Sequence, residues 1–140
     1  MASGDAKLPA CLDDVKIAKL PSSAFYISNF ISEEEEQAIL QKIADAPKPR
    51  WKQLTHRRLQ TWPSDLVQNK LIDAPLPQWL HEPVISRLLS LPRAAHPDSA
   101  NVFADSPHQR PNHVLINEYP PGVGIMPHKT ALHITQSCAL

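Results

Sequence analysis

Apolar positions along this chain recur with two different periods, and the changes of period mark out its elements. Ala24-Phe25-Tyr26-Ile27 is a short apolar and aromatic run that reads as a strand. It leads into the clearest helix signal. Ser32 is the expected N-cap, Glu35 three residues on completes a capping box, and Glu33 to Glu36 sets negative charge against the positive end of the helix dipole. Ile39, Leu40 and Ile43 supply an apolar stripe, and Pro47 stops the helix. A second helix is expected over about 82–91. There Leu80, Val84, Leu88 and Leu91 recur at helical spacing, Ile85 and Leu89 flank them, and Pro83 suits a first turn that has no use for its missing N–H. The pattern then changes to that of a strand, His113 to Tyr119, rich in β-branched and aromatic residues and closed by a Pro/Gly cluster.

Between these elements, residues 1–22 read as a flexible arm in which Lys16 to Leu20 offers an edge strand, and Asp65 to Asp73 is polar. Residues 92–112, with Pro92, Pro97, Pro107 and Pro111, read as a loop insertion or linker of a length unusual inside a compact domain.

Composition narrows the class without naming a function. A chain of 140 residues is expected to form one domain, and 14 basic against 14 acidic residues leave no global attraction to nucleic acid or an anionic membrane. Fifteen prolines favour loops over long helices. No apolar run approaches the roughly twenty residues of a membrane span, and residues 1–7 lack the apolar core of a signal peptide. Cys11 and Cys138 are expected as free thiols of an intracellular protein, cytoplasmic or nuclear. One local stretch departs from this neutrality. Lys48, Arg50, Lys52, Arg57 and Arg58 surround Trp51 and His56 with no acid between them. Such a mixture can grip a phosphate backbone and stack a base. It also fits a strand with solvated charges and one buried tryptophan.

Candidate chemistry concentrates at the end of the last strand. Side chains alternate along a strand, so Asn117 and Tyr119 point one way and Glu118 the other. Pro120-Pro121-Gly122-Val123-Gly124 then turns the chain where a left-handed backbone needs glycine, and delivers His128 just after Pro127. An amide, a phenol and an imidazole are thereby expected near one concave place. The plainer alternative is a hairpin strand whose Asn and Tyr satisfy each other, followed by an exposed turn histidine. His96 and His108 in the loop, and His133 beyond, have no spacing that fixes a metal site.

The spacing Asn-x-Tyr-x-x-Gly-x-Gly-x-x-x-His over 117–128 resembles the AlkB family of iron(II)- and 2-oxoglutarate-dependent dioxygenases, most of all the branch of the sixth AlkB homologue. The resemblance extends upstream through Phe25 to Leu91, and Arg58 to Trp62 matches a family strand. It implies an α+β, mostly β fold: part of a double-stranded β-helix, or jelly roll, with two N-terminal bracing helices. It implies 2-oxoglutarate and Fe(II) as cofactors, Asn117 and Tyr119 as donors to the 2-oxoglutarate, and His128 as an iron ligand. The activity implied is oxidative demethylation or hydroxylation of an alkylated nucleic acid or protein, with the region around Lys48 to Arg58 forming a lid over the substrate. The matching domain runs over 23–128, and the tail 129–140 departs from the family.

The departure bears on the chemistry. A non-haem iron that binds a keto acid and oxygen takes two histidines and one carboxylate on one face. The carboxylate normally stands two residues after the first histidine, where this chain has Thr130, preceded by Lys129. A neutral hydroxyl beside an ammonium is a poor ligand for a hard cation. The expectation is therefore an inactive, C-terminally truncated form whose tail reflects a splice variant or an altered gene model. The alternative from another class is a non-enzymatic fragment that binds nucleic acid through Lys48, Arg50, Lys52, Arg57 and Arg58, or regulates a full-length relative.

Overall fold

The computed structural model describes residues 4–21, 24–65, 68 and 74–126. The expectations placed on His128, Thr130, His133, Cys138 and the tail lie outside them. Three strands form one antiparallel sheet in the order β1-β2-β3, with β1 at Lys52–Gln53, β2 at Arg58–Trp62 and β3 at Val114–Glu118. Helix α1 spans Glu33–Ala44, and a second helical stretch runs through α2 (Gln78–Leu80), a kinked segment (His81–Ile85) and α3 (Ser86–Ser90). The architecture is mixed α and β. Among the described residues there is a single sheet of this kind, compatible with part of an AlkB-like fold.

α1 forms where its charge pattern places it. The Ser32 hydroxyl accepts from the Glu35 N–H at 3.1 Å, and the Glu35 carboxylate accepts from the Ser32 N–H at 2.8 Å. The same carboxylate takes two hydrogen bonds from Arg87 of α3, at 2.5 and 2.6 Å, while Arg87 also donates to the Phe30 carbonyl at 2.9 Å. One guanidinium thus ties the start of α1 to the second helical stretch. The stripe is narrower than expected. Ile39 and Ile43 are half-buried, whereas Leu40 is exposed, because one further residue turns about 100° round the helix and away from the protein.

The second helix also differs from its sequence pattern. Glu82 leaves the helical region (φ −116°, ψ 123°), so the phase of the apolar face restarts after it. Ile85, expected only to flank the stripe, becomes completely buried. It packs with Leu76, Leu80 and Val114, and Trp62, Trp79, Leu89 and Ile116 close round them. This core lies between the helical stretch and one face of the sheet. Trp62 meets Trp79 edge to face, with centroids 5.3 Å apart.

The strand expected at Ala24 to Ile27 reduces to one bridge between Lys16 and Phe25, with backbone bonds Ile17 N–H to Ala24 and Tyr26 N–H to Val15, each 3.0 Å. The first residues are less detached than the expected arm. A short 3₁₀ turn, Leu12–Val15, follows the buried Cys11, and the N–H groups of Leu12 and Asp13 donate to Pro92 and Arg93 at 2.9 and 3.0 Å. Apolar Cys11 and Leu12 supply the burial that the sequence reading overlooked. The long loop is likewise ordered by its polar residues. Asn101 donates to the Leu89 carbonyl at 3.1 Å and accepts from the Phe103 N–H at 2.9 Å, which places Phe103 in the interior.

His113, one residue before β3, is buried, and burial holds its pKa below the ordinary 6.5 although a backbone bond at Ser64 and the charge of Asp65 oppose this. Its Nε2 and the neighbouring Asn112 Oδ1 have no hydrogen-bond partner among the described residues. The bonds from Arg87 and Ser32 hold the Glu35 carboxyl below its ordinary 4.5. Both folded values are depressed, so both contributions are present above the unfolded values and are lost as pH falls through the folded ones. Stability should decline in two stages, first below pH 6.5 and again below 4.5. Chemical denaturation across pH should find the first stage missing in His113→Gln and the second reduced in Glu35→Gln, with the remainder coming from the likewise depressed Asp65 and Glu118 carboxyls. In the same assay at neutral pH, Ile85→Ala should cost about 2–5 kcal/mol and Ser32→Ala about 1 kcal/mol.

Candidate functional site on the open face of the sheet

The register between β2 and β3 decides which residues share a face. Arg58 pairs with Glu118, Leu59 with Asn117, Gln60 with Ile116, Thr61 with Leu115 and Trp62 with Val114. Gln60, Trp62, Val114 and Ile116 face the helices. Leu59, Thr61, Leu115 and Asn117 face the other way and are only half-buried. Tyr119, the next residue in phase, is half-buried at the end of that row. The expectation that Asn117 and Glu118 part company is met directly, because each has its own partner. Glu118 takes a two-pronged ion pair from Arg58, at 2.6 and 2.9 Å, while Asn117 Oδ1 accepts from Arg57 Nε at 3.1 Å.

The turn after β3 does what its residues require. The Val123 N–H donates to the Pro120 carbonyl at 3.1 Å, Pro121 takes the corner, and Gly122 has φ of +79°. That is the geometry of a type II turn, where a residue bearing a Cβ would be strained. Gly124 needs no such conformation. Beyond it Ile125 and Met126 are exposed, and His128 lies outside the described residues.

The basic stretch is built into the scaffold to an extent that its composition does not announce. Arg50 lies over the Trp62 ring, 3.8 Å from its centroid, and donates to the Thr61 and Pro63 carbonyls at 3.0 Å. Arg58 lies over Trp51 at 4.0 Å besides holding Glu118. Lys52 pairs with Asp65 at 2.8 Å, and the Asp65 carboxylate also accepts from the Thr61 hydroxyl. Those two partners hold the Asp65 carboxyl below the usual carboxylate range. Arg57 holds Asn117, and Lys48 is exposed. Trp51, the ring expected to stack a base, is covered by Arg58.

Two residues of the β2 region have partners that the sequence does not announce. Gln60 is fully buried and ties β2 to α1. Its Nε2 donates to the Ile43 carbonyl of α1 at 2.8 Å, and its Oε1 accepts from Trp62 Nε1 at 3.1 Å. The signal available was a lone amide at an inward position of a strand. Along the chain Arg57 reads as one of the lid cations, and only the strand register places it beside Asn117.

What the open face can do follows from its donors. A primary amide and a phenol on one row, with a guanidinium at the same end, are suited to an anionic ligand rich in oxygen. For a metal the position differs: among the described residues no group of three His, Cys, Asp or Glu side chains gathers. No helix among them is long and apolar enough to cross a membrane.

No family model matches the chain. Among individual proteins it is similar to the zebrafish (Danio rerio) protein described as probable RNA/DNA demethylase ALKBH6, with 36% identity over 118 residues that cover 84% of this chain. The chain spans under half of that relative, 45% of its length. With Asn117 and Tyr119 on one row of the sheet and this identity running through most of the described residues, the chain belongs, over the stretch so matched, to the AlkB-like family and resembles its sixth homologue.

Proposed function

We propose that this chain carries the co-substrate side of an iron(II)- and 2-oxoglutarate-dependent oxygenase domain, and that the whole protein of this type oxidises a methyl group on nucleic acid or protein. The sheet is read as part of a double-stranded β-helix whose helices, α1 to α3, brace one face and leave the other for ligand. The observation that carries this reading is the Asn117 amide on that open face, in phase with Tyr119 and fixed by Arg57 at 3.1 Å. Asn117 and Tyr119 each offer a hydrogen to a ligand oxygen. 2-Oxoglutarate has two carboxylates and a keto oxygen, all acceptors, so it fits donors of this kind.

The donors present do not fit iron(II) equally well. The position two residues after His128 is Thr130, which brings no negative charge to the metal, and Lys129 brings a positive one. His128 by itself is a single ligand. With Thr130 and Lys129 at these positions, this chain binds the keto acid weakly and does not turn it over. The relative's printed name supports a nucleic-acid substrate for the whole protein. The occupied state of Arg50, Lys52 and Arg58 argues against a fragment that grips nucleic acid through those residues.

In an NMR titration of the full chain, 2-oxoglutarate should shift resonances of β3. Asn117→Ala and Tyr119→Phe should each weaken binding by about ten-fold, the worth of one hydrogen bond to a charged group. With iron(II) and oxygen added, succinate should not rise above that of a His128→Ala control. Unchanged titrations in both site variants would remove the co-substrate reading, and succinate above the control would remove the claim of inactivity.

A further inference from the structure

We infer that Arg57 is a positioning residue for the co-substrate, acting by holding the Asn117 amide in the one orientation that turns its hydrogens outward. The inference rests on the reading of Asn117 and Tyr119 given above. The strand register supplies the first support. Arg58 pairs with Glu118, so the same antiparallel register carried one step further sets Arg57 across from Tyr119 and diagonal to Asn117. The cation, the amide and the phenol thus meet at one end of one face, where β2 begins and β3 finishes.

The chemistry of the bond supplies the second support. A side-chain amide can present either its oxygen or its NH2 in a given direction, and the two atoms are nearly equal in shape. An arginine has donors only, so the atom 3.1 Å from Arg57 Nε is the carbonyl oxygen of Asn117. The NH2 must then face away from Arg57. A carboxylate has acceptors only, and a flipped amide would meet it oxygen to oxygen. Arg57 converts a group that could point either way into a donor. Its Nη atoms make no hydrogen bond or ion pair among the described residues. This separates Arg57 from its neighbours Arg50 and Arg58, whose guanidinium groups are absorbed by carbonyls, a carboxylate and indole rings.

The test uses the full chain and two NMR readouts. Without ligand, the Asn117 Nδ2 resonance pair should move in Arg57→Met and stay near its wild-type position in Tyr119→Phe. With 2-oxoglutarate added, Arg57→Met should bind about three- to ten-fold more weakly, the factor expected on freeing one ordered polar side chain. The double variant Arg57→Met with Asn117→Ala should bind no more weakly than Asn117→Ala alone, because the arginine acts through the amide. Arg57→Lys keeps the charge with a shorter reach and one fewer arm, and should fall between; it serves in place of Arg57→Met if the latter melts early. An unmoved Asn117 pair, wild-type binding by Arg57→Met, or an equal further loss in the Asn117→Ala background would each overturn the inference. A wild-type chain that shows no titration would instead fell the reading of the site, and the Asn117 resonances would still judge the hold of Arg57 on the amide.

Discussion

The pairing of β2 with β3 is the constraint on which the rest of this structure depends. A strand has period two, so one residue of slip would exchange every inward side chain with an outward one. Trp62, Gln60, Val114 and Ile116 would leave the helices, and Asn117 would enter the core. Several contacts hold the register against that slip. The Trp62 ring is fixed by Trp79 on one side and Arg50 on another. Gln60 is buried with both ends of its amide engaged, and a slip would strand them at a cost of about 1–3 kcal/mol for each unpaired group. The exposed pair Arg58–Glu118 adds a marker of register more than stability, since solvent screens an ion pair at the surface.

That register also divides the labour of the basic residues. A run of cations read along the chain looks like one patch, but strand alternation and the turn before β2 send them to separate places. Arg58 goes to a carboxylate, Arg50 to carbonyls and an indole, Lys52 to Asp65 and Arg57 to an amide. Binding a polyanion through all of them would require breaking intramolecular bonds first. Arg57, whose partner is a neutral amide, is the one that stands beside the donors of the open face.

The sequence made parts of this legible because the relevant signals are local. The capping box of Ser32 and Glu35, a strand within the expected 113–119, the opposition of Asn117 and Glu118, and the glycine of the Pro120 turn each follow from a few adjacent residues. What escaped depends on distant partners. The kink at Glu82 shifts the apolar phase and brings Ile85 to the centre, which no uninterrupted helical pattern anticipates. The bond between Arg57 and Asn117 joins residues sixty apart in sequence. The docking of Leu12 and Asp13 against Pro92 and Arg93 crosses two stretches whose composition reads as irregular chain. Of the candidate site, the amide and the phenol were visible in the sequence; the guanidinium that orients the amide was visible only in three dimensions.

Helix α1 illustrates how such long-range bonds shape motion. Its first turn is clasped by Arg87 through Glu35, and a carbonyl of its last turn, that of Ile43, is taken by Gln60 from inside the sheet. Helices ordinarily fray from their ends, where backbone groups lack partners. Here each end is moored to a different neighbour, so unwinding a terminal turn exposes a polar group that the protein has already enclosed. α1 should therefore leave its berth as a single rigid rod, in step with the parting of β2 from the helical layer.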